Sequence, residues 1–134
     1  MDKRFAFNED VKNYDRWRPT YCKELFNDIA KYSKLDKYKK VIEVGIGTGQ
    51  ATKPFLIKGC DVTAIELGKD LAKYSKEKFK NYKNFNVYNI SFENFECDDN
   101  TFDILYFRKW KYFNNIWYYR FIFGKKIVFQ FSVD

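Results

Sequence analysis

Histidine is absent from the 134 residues of this chain. Its absence removes His-based triads, imidazole metal ligands and a histidine general base from the available chemistry. Cysteine is sparse: Cys22, Cys60 and Cys97 lie far apart with no C-x-x-C pair, a spacing that supports neither a disulfide framework nor a metal site. Two prolines and six glycines are too few for a collagen-like or low-complexity chain. No apolar run approaches the roughly 18 residues of a spanning helix, and Met1 to Asp10 lacks the apolar core of a secretion signal. These absences predict a cytoplasmic protein with no metal and no membrane partner.

What the chain has instead is 46% hydrophobic and 32% charged residues, a balance that can bury a core and stay soluble, over a length that suits one domain. Trp, Tyr and Phe number 3, 11 and 15, and 13 of them fall in the last 34 residues. The same stretch carries six basic against two acidic side chains, more than half of the net charge of +7. A modest positive field aids solubility and attracts polyanions without naming one.

Tyr21, Leu25, Ile29 and Tyr32 recur at helical spacing with Phe26 and Ala30 beside them. With Pro19 just ahead, they predict an amphipathic helix over Thr20 to Tyr32. A Lys-rich link, Lys34 to Lys40, leads to Val41-Ile42-Glu43-Val44, a β-branched run that ends abruptly in Gly45 as a buried parallel strand does. A helix over about Gln50 to Lys58 follows, with Pro54 in or near its first turn and Gly59 closing it. Asp61 to Glu66 reads as a second strand, and Lys69 to Lys80 as a helix that buries Leu71, Ala72, Ser75 and Phe79. Phe85 to Ile90 and Phe102 to Tyr106 are the third and fourth strands. Such alternation specifies an α/β fold: a doubly wound, mostly parallel sheet with right-handed crossovers and helices on both faces. Phe107 to Phe123 has no clean period, whereas Ile127, Phe129, Phe131 and Val133 alternate as a half-buried strand.

Glu43-Val44-Gly45-Ile46-Gly47-Thr48-Gly49 is a glycine-rich turn between a strand and a helix. Glycine lets the backbone approach a ligand without a β-carbon in the way. In a doubly wound sheet this turn lies at the carboxyl ends of the strands, where cofactors bind; the alternative is a tight turn that holds nothing. Glu66 ends the next strand 21 residues after Gly45, near the spacing of about 20 at which a carboxylate meets a ribose hydroxyl pair. Otherwise it is a solvated strand-end side chain. The nicotinamide fingerprint Gly-x-Gly-x-x-Gly is not met, because Gln50 stands where its last glycine belongs.

On these residues the chain resembles the class I S-adenosylmethionine-dependent methyltransferases, whose first motif is an acidic residue followed by x-Gly-x-Gly-x-Gly, matched by Glu43 to Gly49. Tyr14-Asp15-Arg16-Trp17-Arg18-Pro19-Thr20-Tyr21 is similar to the Tyr-Asp-x-x-Arg-Pro-x-Tyr opening of their ubiquinone-biosynthesis-like, small-molecule branch. The resemblance implies a Rossmann-like fold, S-adenosylmethionine as cofactor, and an enzyme that methylates a small-molecule substrate. It implies that Gly45, Ile46, Gly47, Thr48 and Gly49 pass under the cofactor's methionine end behind Glu43, and that Glu66, with Leu67, holds the ribose. Tyr14 and Arg18 help cover the site, unless Arg18 only caps a helix or pairs with an acid. Ser91-Phe92-Glu93 occupies the place of the family's adenine-flanking element, with Phe92 either packed on the base or filling the core. No catalytic residue is implied, since methyl transfer from a sulfonium is an in-line displacement that needs alignment before it needs a base.

The resemblance covers Phe5 to Tyr106 and then stops. The expectation is one methyltransferase-like domain over residues 1–134: a helical N-terminal cover (1–39), a cofactor-binding βαβαβ core (40–106) and a divergent aromatic, basic tail (107–134). The sheet is then C-terminally incomplete, through a shortened end or a disrupted reading frame, and its uncovered edge invites self-association. Two rival functions stand beside the small-molecule enzyme. One is an inactive cofactor-binding remnant; the other is a nucleic-acid grip in which Arg108, Lys109, Trp110, Lys111 and Tyr112 interleave basic and aromatic side chains. Of the three, the small-molecule methyltransferase is the expectation, and nucleic acid is not an expected partner.

Overall fold

The computed structural model describes residues 23–98, 101–109 and 127–132. Helices α1 (Lys23–Ser33), α2 (Lys53–Ile57) and α3 (Lys69–Lys78) alternate with strands β1 (Lys40–Val44), β2 (Asp61–Ile65) and β3 (Phe85–Tyr88). A 3-10 turn over Phe92–Asn94 precedes β4 (Ile104–Lys109), and β5 (Ile127–Ser132) follows. All pair in parallel in the order β3-β2-β1-β4-β5, the doubly wound, Rossmann-like arrangement expected from the alternation. The order reverses between β1 and β4, so a crevice opens beyond their carboxyl ends, where Gly45 begins. At the opposite ends the Asp103 amide donates to the Lys40 carbonyl at 2.8 Å and the Lys40 amide to Asp103 Oδ2 at 2.9 Å, which locks the register of β1 on β4.

Alternation along each strand divides the core into two layers. Val41, Val62, Ala64, Ile104 and Tyr106 face one side, against Ile29 of α1, Phe55 of α2 and Phe79 beside α3. Ile42, Val44, Ile65, Leu105 and Phe107 face the other, against Phe92 and Phe102. Strands covered on both faces read as continuous apolar runs, which is why Glu43 and Tyr106 stand out as polar groups in the middle of the sheet. α3 buries Leu71, Ala72 and Ser75, with Phe79 at its C-cap, as its spacing predicts. α2 closes with the Gly59 amide on the Leu56 carbonyl and the Cys60 amide on the Phe55 carbonyl, Gly59 taking φ 88°, the paired-bond cap that favours glycine.

The structure departs from the sequence expectation at three places. α1 turns Phe26, Ile29, Ala30 and Ser33 inward and leaves Tyr32 76% exposed, because positions 26, 29, 30 and 33 follow the i, i+3, i+4, i+7 stripe and 32 falls beside it. α2 starts at Lys53 instead of Gln50, since Gly49 to Thr52 is used up in a turn that bonds the Thr52 amide to the Gly49 carbonyl. β4 runs past Tyr106 to Lys109, and the strand expected at Ile127 to Val133 forms as β5 beside it, from Ile104 opposite Ile127 to Lys109 opposite Ser132. Tyr14, Arg18 and the rest of the opening motif lie outside the described residues, as do Trp110, Lys111 and Tyr112. Among the described residues no helix is long and apolar enough to cross a membrane.

Candidate functional site

β1 runs into a loop whose alternate residues Gly45, Gly47 and Gly49 take φ of 76°, 59° and 83°. Between them Ile46 and Thr48 are buried and anchor the loop to the core. Gly49 tolerates nothing larger, because a β-carbon there would lie 2.4 Å from the Phe79 ring. The Gly45 amide donates to the Ile65 carbonyl at 2.8 Å, tying the loop's start to the end of β2. From α3, Lys78 Nζ donates to the Thr48 carbonyl at 2.7 Å, and the Gln50 side-chain amide donates to the Thr48 hydroxyl.

Glu66 follows β2 directly and is 6% exposed, so it is not a solvated strand-end side chain. Its Oε2 accepts the Gly47 amide at 2.7 Å and its Oε1 the Gly68 amide at 2.9 Å. Burial raises its pKa above the ordinary 4.5, while the Gly68, Gly47 and Leu67 amides favour the charged form. Asn89, just past β3, donates to the carbonyls of Glu66 at 2.9 Å and Leu67 at 3.1 Å, fixing the backbone that carries both. An ionised carboxylate offers about four acceptor sites; one close amide on each oxygen leaves both oxygens capacity for a hydroxyl pair.

Glu43 sits beneath the loop. Its Oε2 accepts the Thr52 hydroxyl and the Tyr106 hydroxyl, each at 2.5 Å, so β1, β4 and the entry to α2 meet on one oxygen atom. Burial pushes its pKa from 4.5 to about 7, against the lowering effect of the two hydroxyls and with a small addition from the charge of Glu66. The Tyr106 ring stacks on Phe55 at 4.7 Å, which holds the phenol where its hydroxyl reaches Glu43.

The structure therefore gathers Glu43, Gly45, Ile46, Gly47, Thr48, Gly49, Glu66 and Leu67 at the carboxyl ends of β1 and β2. Phe92 lies apart, 4% exposed in the second core layer with Ile42, Val44 and Ile65, the core-filling of its two readings. Four contributors were not singled out by sequence: Thr52, Lys78, Asn89 and Tyr106. Tyr106 leaves a faint signal, a polar group among the apolar residues of a buried strand, whereas the Thr52, Lys78 and Asn89 contacts are set by tertiary proximity alone.

Residues 22–131 match the model of the ribosomal RNA adenine dimethylase family. The chain belongs to that family. It is accordingly a class I S-adenosylmethionine-dependent methyltransferase by family, and S-adenosylmethionine is the family's cofactor. A similar curated relative is the ribosomal RNA small subunit methyltransferase A of Clostridium botulinum (strain Loch Maree / Type A3), 38% identical over 63 residues, 47% of this chain and 23% of the relative. The enzyme of the same name from Caldanaerobacter subterraneus subsp. tengcongensis is 32% identical over 81 residues, 59% of this chain and 30% of the relative. The matched segment thus spans about a quarter of the first of these relatives. Among solved structures, a dimethyladenosine transferase from Plasmodium falciparum superposes with a TM-score of 0.67 at 17% identity, covering 86% of this chain and 43% of that one. The 23S rRNA methyltransferase ErmE does so with a TM-score of 0.56 at 24% identity, covering 69% and 37%. At these identities the two superpositions show the fold alone.

The family corrects the sequence reading in two respects. A small-molecule acceptor, and with it the exclusion of nucleic acid as a partner, is overturned by membership in a family defined on ribosomal RNA. The ubiquinone-biosynthesis-like branch gains no support, since the motif that suggested it, residues 14–21, falls outside the matched segment. The family match also continues to residue 131, well past Tyr106, where the resemblance ended.

Proposed function

We propose that this chain is the cofactor-binding part of an RNA methyltransferase that methylates the exocyclic amine of adenine in ribosomal RNA. The family match over residues 22–131 carries the reading, and the names of the curated relatives agree with it. The exocyclic amine is the one adenine nitrogen with two hydrogens to replace, so it can carry two methyl groups and stay neutral, which is why the dimethylase name points to that atom. A cytoplasmic location follows from the same substrate.

The residues at the crevice suit the family's cofactor. The side-chain-free faces of Gly45, Gly47 and Gly49 let the backbone lie against its methionine end. Glu66 accepts the ribose hydroxyls with the oxygens that Gly47 and Gly68 already orient, and Leu67 lies beside them. When bound, S-adenosylmethionine supplies an electrophilic methyl group on a sulfonium. What this chain adds is alignment and exclusion of water, contributions that suit a sequence with no histidine to act as a base. Glu43 acts at one remove, by fixing Thr52 and therefore the far end of the glycine loop.

The test is to incubate the purified chain with S-adenosylmethionine and protein-free small-subunit ribosomal RNA, digest the RNA and separate its nucleosides. Dimethyladenosine is expected. Product absent from a chain that still binds S-adenosylhomocysteine would reject the RNA-directed reading. Calorimetry of S-adenosylhomocysteine on Glu66→Gln should show affinity reduced by about tenfold or more, the cost of losing a charged acceptor.

A further inference from the structure

Three segments enter the sheet at the amino ends of its strands, on the rim opposite the glycine loop: residues 34–39 before β1, 58–60 before β2 and 79–84 before β3. They are tied to one another. Cys60 Sγ donates to the Asp36 carbonyl at 3.3 Å, the Asp61 amide to the Lys39 carbonyl at 3.1 Å, and Asn84 Nδ2 to the Cys60 carbonyl at 2.7 Å. Gly59 is so close to Lys37 that a β-carbon on it would lie 3.2 Å from the lysine Cβ. This contiguous rim carries Lys34, Lys37, Lys39, Lys58, Lys80 and Lys83 against Asp36, Asp61 and, where β4 enters beside β1, Asp103. Among the described residues Lys80 pairs with Glu77 at 2.6 Å, and the other five make no ion pair. The carboxyl rim is mixed by contrast, with Asp70 and Glu93 set against Lys69.

An aromatic ring completes the basic rim. Tyr38 is 77% exposed with Lys37 Nζ 5.2 Å from its ring centre, and its amide is spent on Asp36 Oδ1 at 2.9 Å. The ring is thus held outward on a fixed turn between lysines instead of being folded into the core. Ammonium groups spaced along a rigid rim neutralise phosphates, and an exposed ring among them accepts an unpaired base by stacking. β1 has five residues, so this rim lies about 16 Å or more from the crevice at the rise of an extended strand. RNA held here is a different part of the molecule from the base that enters the crevice.

We propose that the lysine rim at the amino ends of the strands, with Tyr38, is a second RNA-binding surface that grips the phosphate backbone of the substrate away from the methylated base. The inference rests on the RNA-directed reading above and adds where the RNA is held. The surface contributes to RNA affinity and to KM, and leaves the cofactor site and kcat alone.

The experiment compares the wild-type chain with Lys34→Gln/Lys37→Gln/Lys58→Gln and with a control of equal charge change on α3, Lys69→Gln/Lys73→Gln/Lys76→Gln. A labelled RNA hairpin with a single-stranded overhang is titrated by fluorescence anisotropy at salt from about 50 to 200 mM, and S-adenosylhomocysteine binding reports the integrity of the fold. The rim variant is expected to bind RNA about a hundredfold more weakly at the low-salt end and only severalfold more weakly at the high-salt end, with the slope of log affinity against log salt reduced by roughly 2 to 3. The control should keep most of its affinity, and both should bind S-adenosylhomocysteine as the wild type does. Tyr38→Ala should weaken binding severalfold for the overhang probe and little for a blunt one. Equal losses in rim and control variants, or an unchanged rim variant beside an RNA-binding wild type, would overturn the rim and leave the RNA-directed reading standing. Wild-type protein that binds S-adenosylhomocysteine but no RNA would overturn both. Tighter binding to phosphatidylserine vesicles than to RNA would assign the rim to a membrane surface and overturn it as well.

Discussion

Glu43 is a carboxyl group in the middle of a sheet, where a charge is costly and a proton correspondingly hard to remove. Its pKa, raised from 4.5 to about 7 by burial, makes it keep a proton that the unfolded chain loses. The stability it confers is complete below about pH 4.5 and disappears as pH climbs to about 7, a change on the order of 3 kcal/mol. The burial-raised Glu66 acts in the same direction. Glu43→Gln should therefore flatten, without abolishing, the fall of the urea midpoint between about pH 4.5 and 7. A variant with the same slope as wild type would mean that Glu43 is ionised throughout. Gly49→Ala meets both the φ of 83° and the Phe79 ring, and should cost about 3 kcal/mol in denaturant titration and weaken S-adenosylhomocysteine binding. Both residues were prominent in the sequence as part of the acidic and glycine motif. Their partners were not, because Tyr106 stands 63 residues from Glu43 and nothing local to either announces the bond.

Elements whose character comes from local pattern were legible. The valines and isoleucines of β1 and β2, the Leu71, Ala72, Ser75, Phe79 face of α3 and the glycine after α2 all behave as their spacing demands. Tyr32 shows the limit: a large aromatic near a helical stripe was counted inside it, but the face is centred by whichever residues meet the sheet, and here Ser33 meets it, its hydroxyl donating to the Ile29 carbonyl at 2.7 Å. The stretch leading up to β5 was illegible for a different reason. The densely aromatic Phe107 to Phe123 carries no contrast between core and solvent positions, so periodicity has nothing to report, whereas the alternation of Ile127, Phe129 and Phe131 announced β5. The end of α2 offers a test at this scale. Gly59→Ala would strain φ at 88° and press on Lys37; a loss of about 1 to 2 kcal/mol is expected by thermal or chemical unfolding, with S-adenosylhomocysteine affinity nearly unchanged because the cap lies at the rim away from the loop.

For the molecule as a whole, the cofactor was readable and the acceptor was not, since Glu43 to Gly49 and Glu66 report only the group that all class I methyltransferases share. The acceptor is chosen by residues that have no such common spacing. The strand order has its own measurable consequence: a chain ending at Lys109 would lack β5 and leave β4, with Ile104, Leu105 and Phe107 inside the sheet, as an open edge. Gel filtration of that chain should show aggregates where the full chain runs as a discrete species. The same order also governs how the protein is made. β1 finds β2 about 20 residues downstream, but its other flank waits for β4, whose register bond joins Lys40 to Asp103 across 63 residues. At translation rates of about 5 to 20 residues per second that interval is about 3 to 13 seconds. A ribosome pausing between Glu66 and Asp103 would therefore hold a nascent chain with its glycine loop already flanked by two strands and one long side of β1 bare, the moment in its life when a chaperone has most to protect.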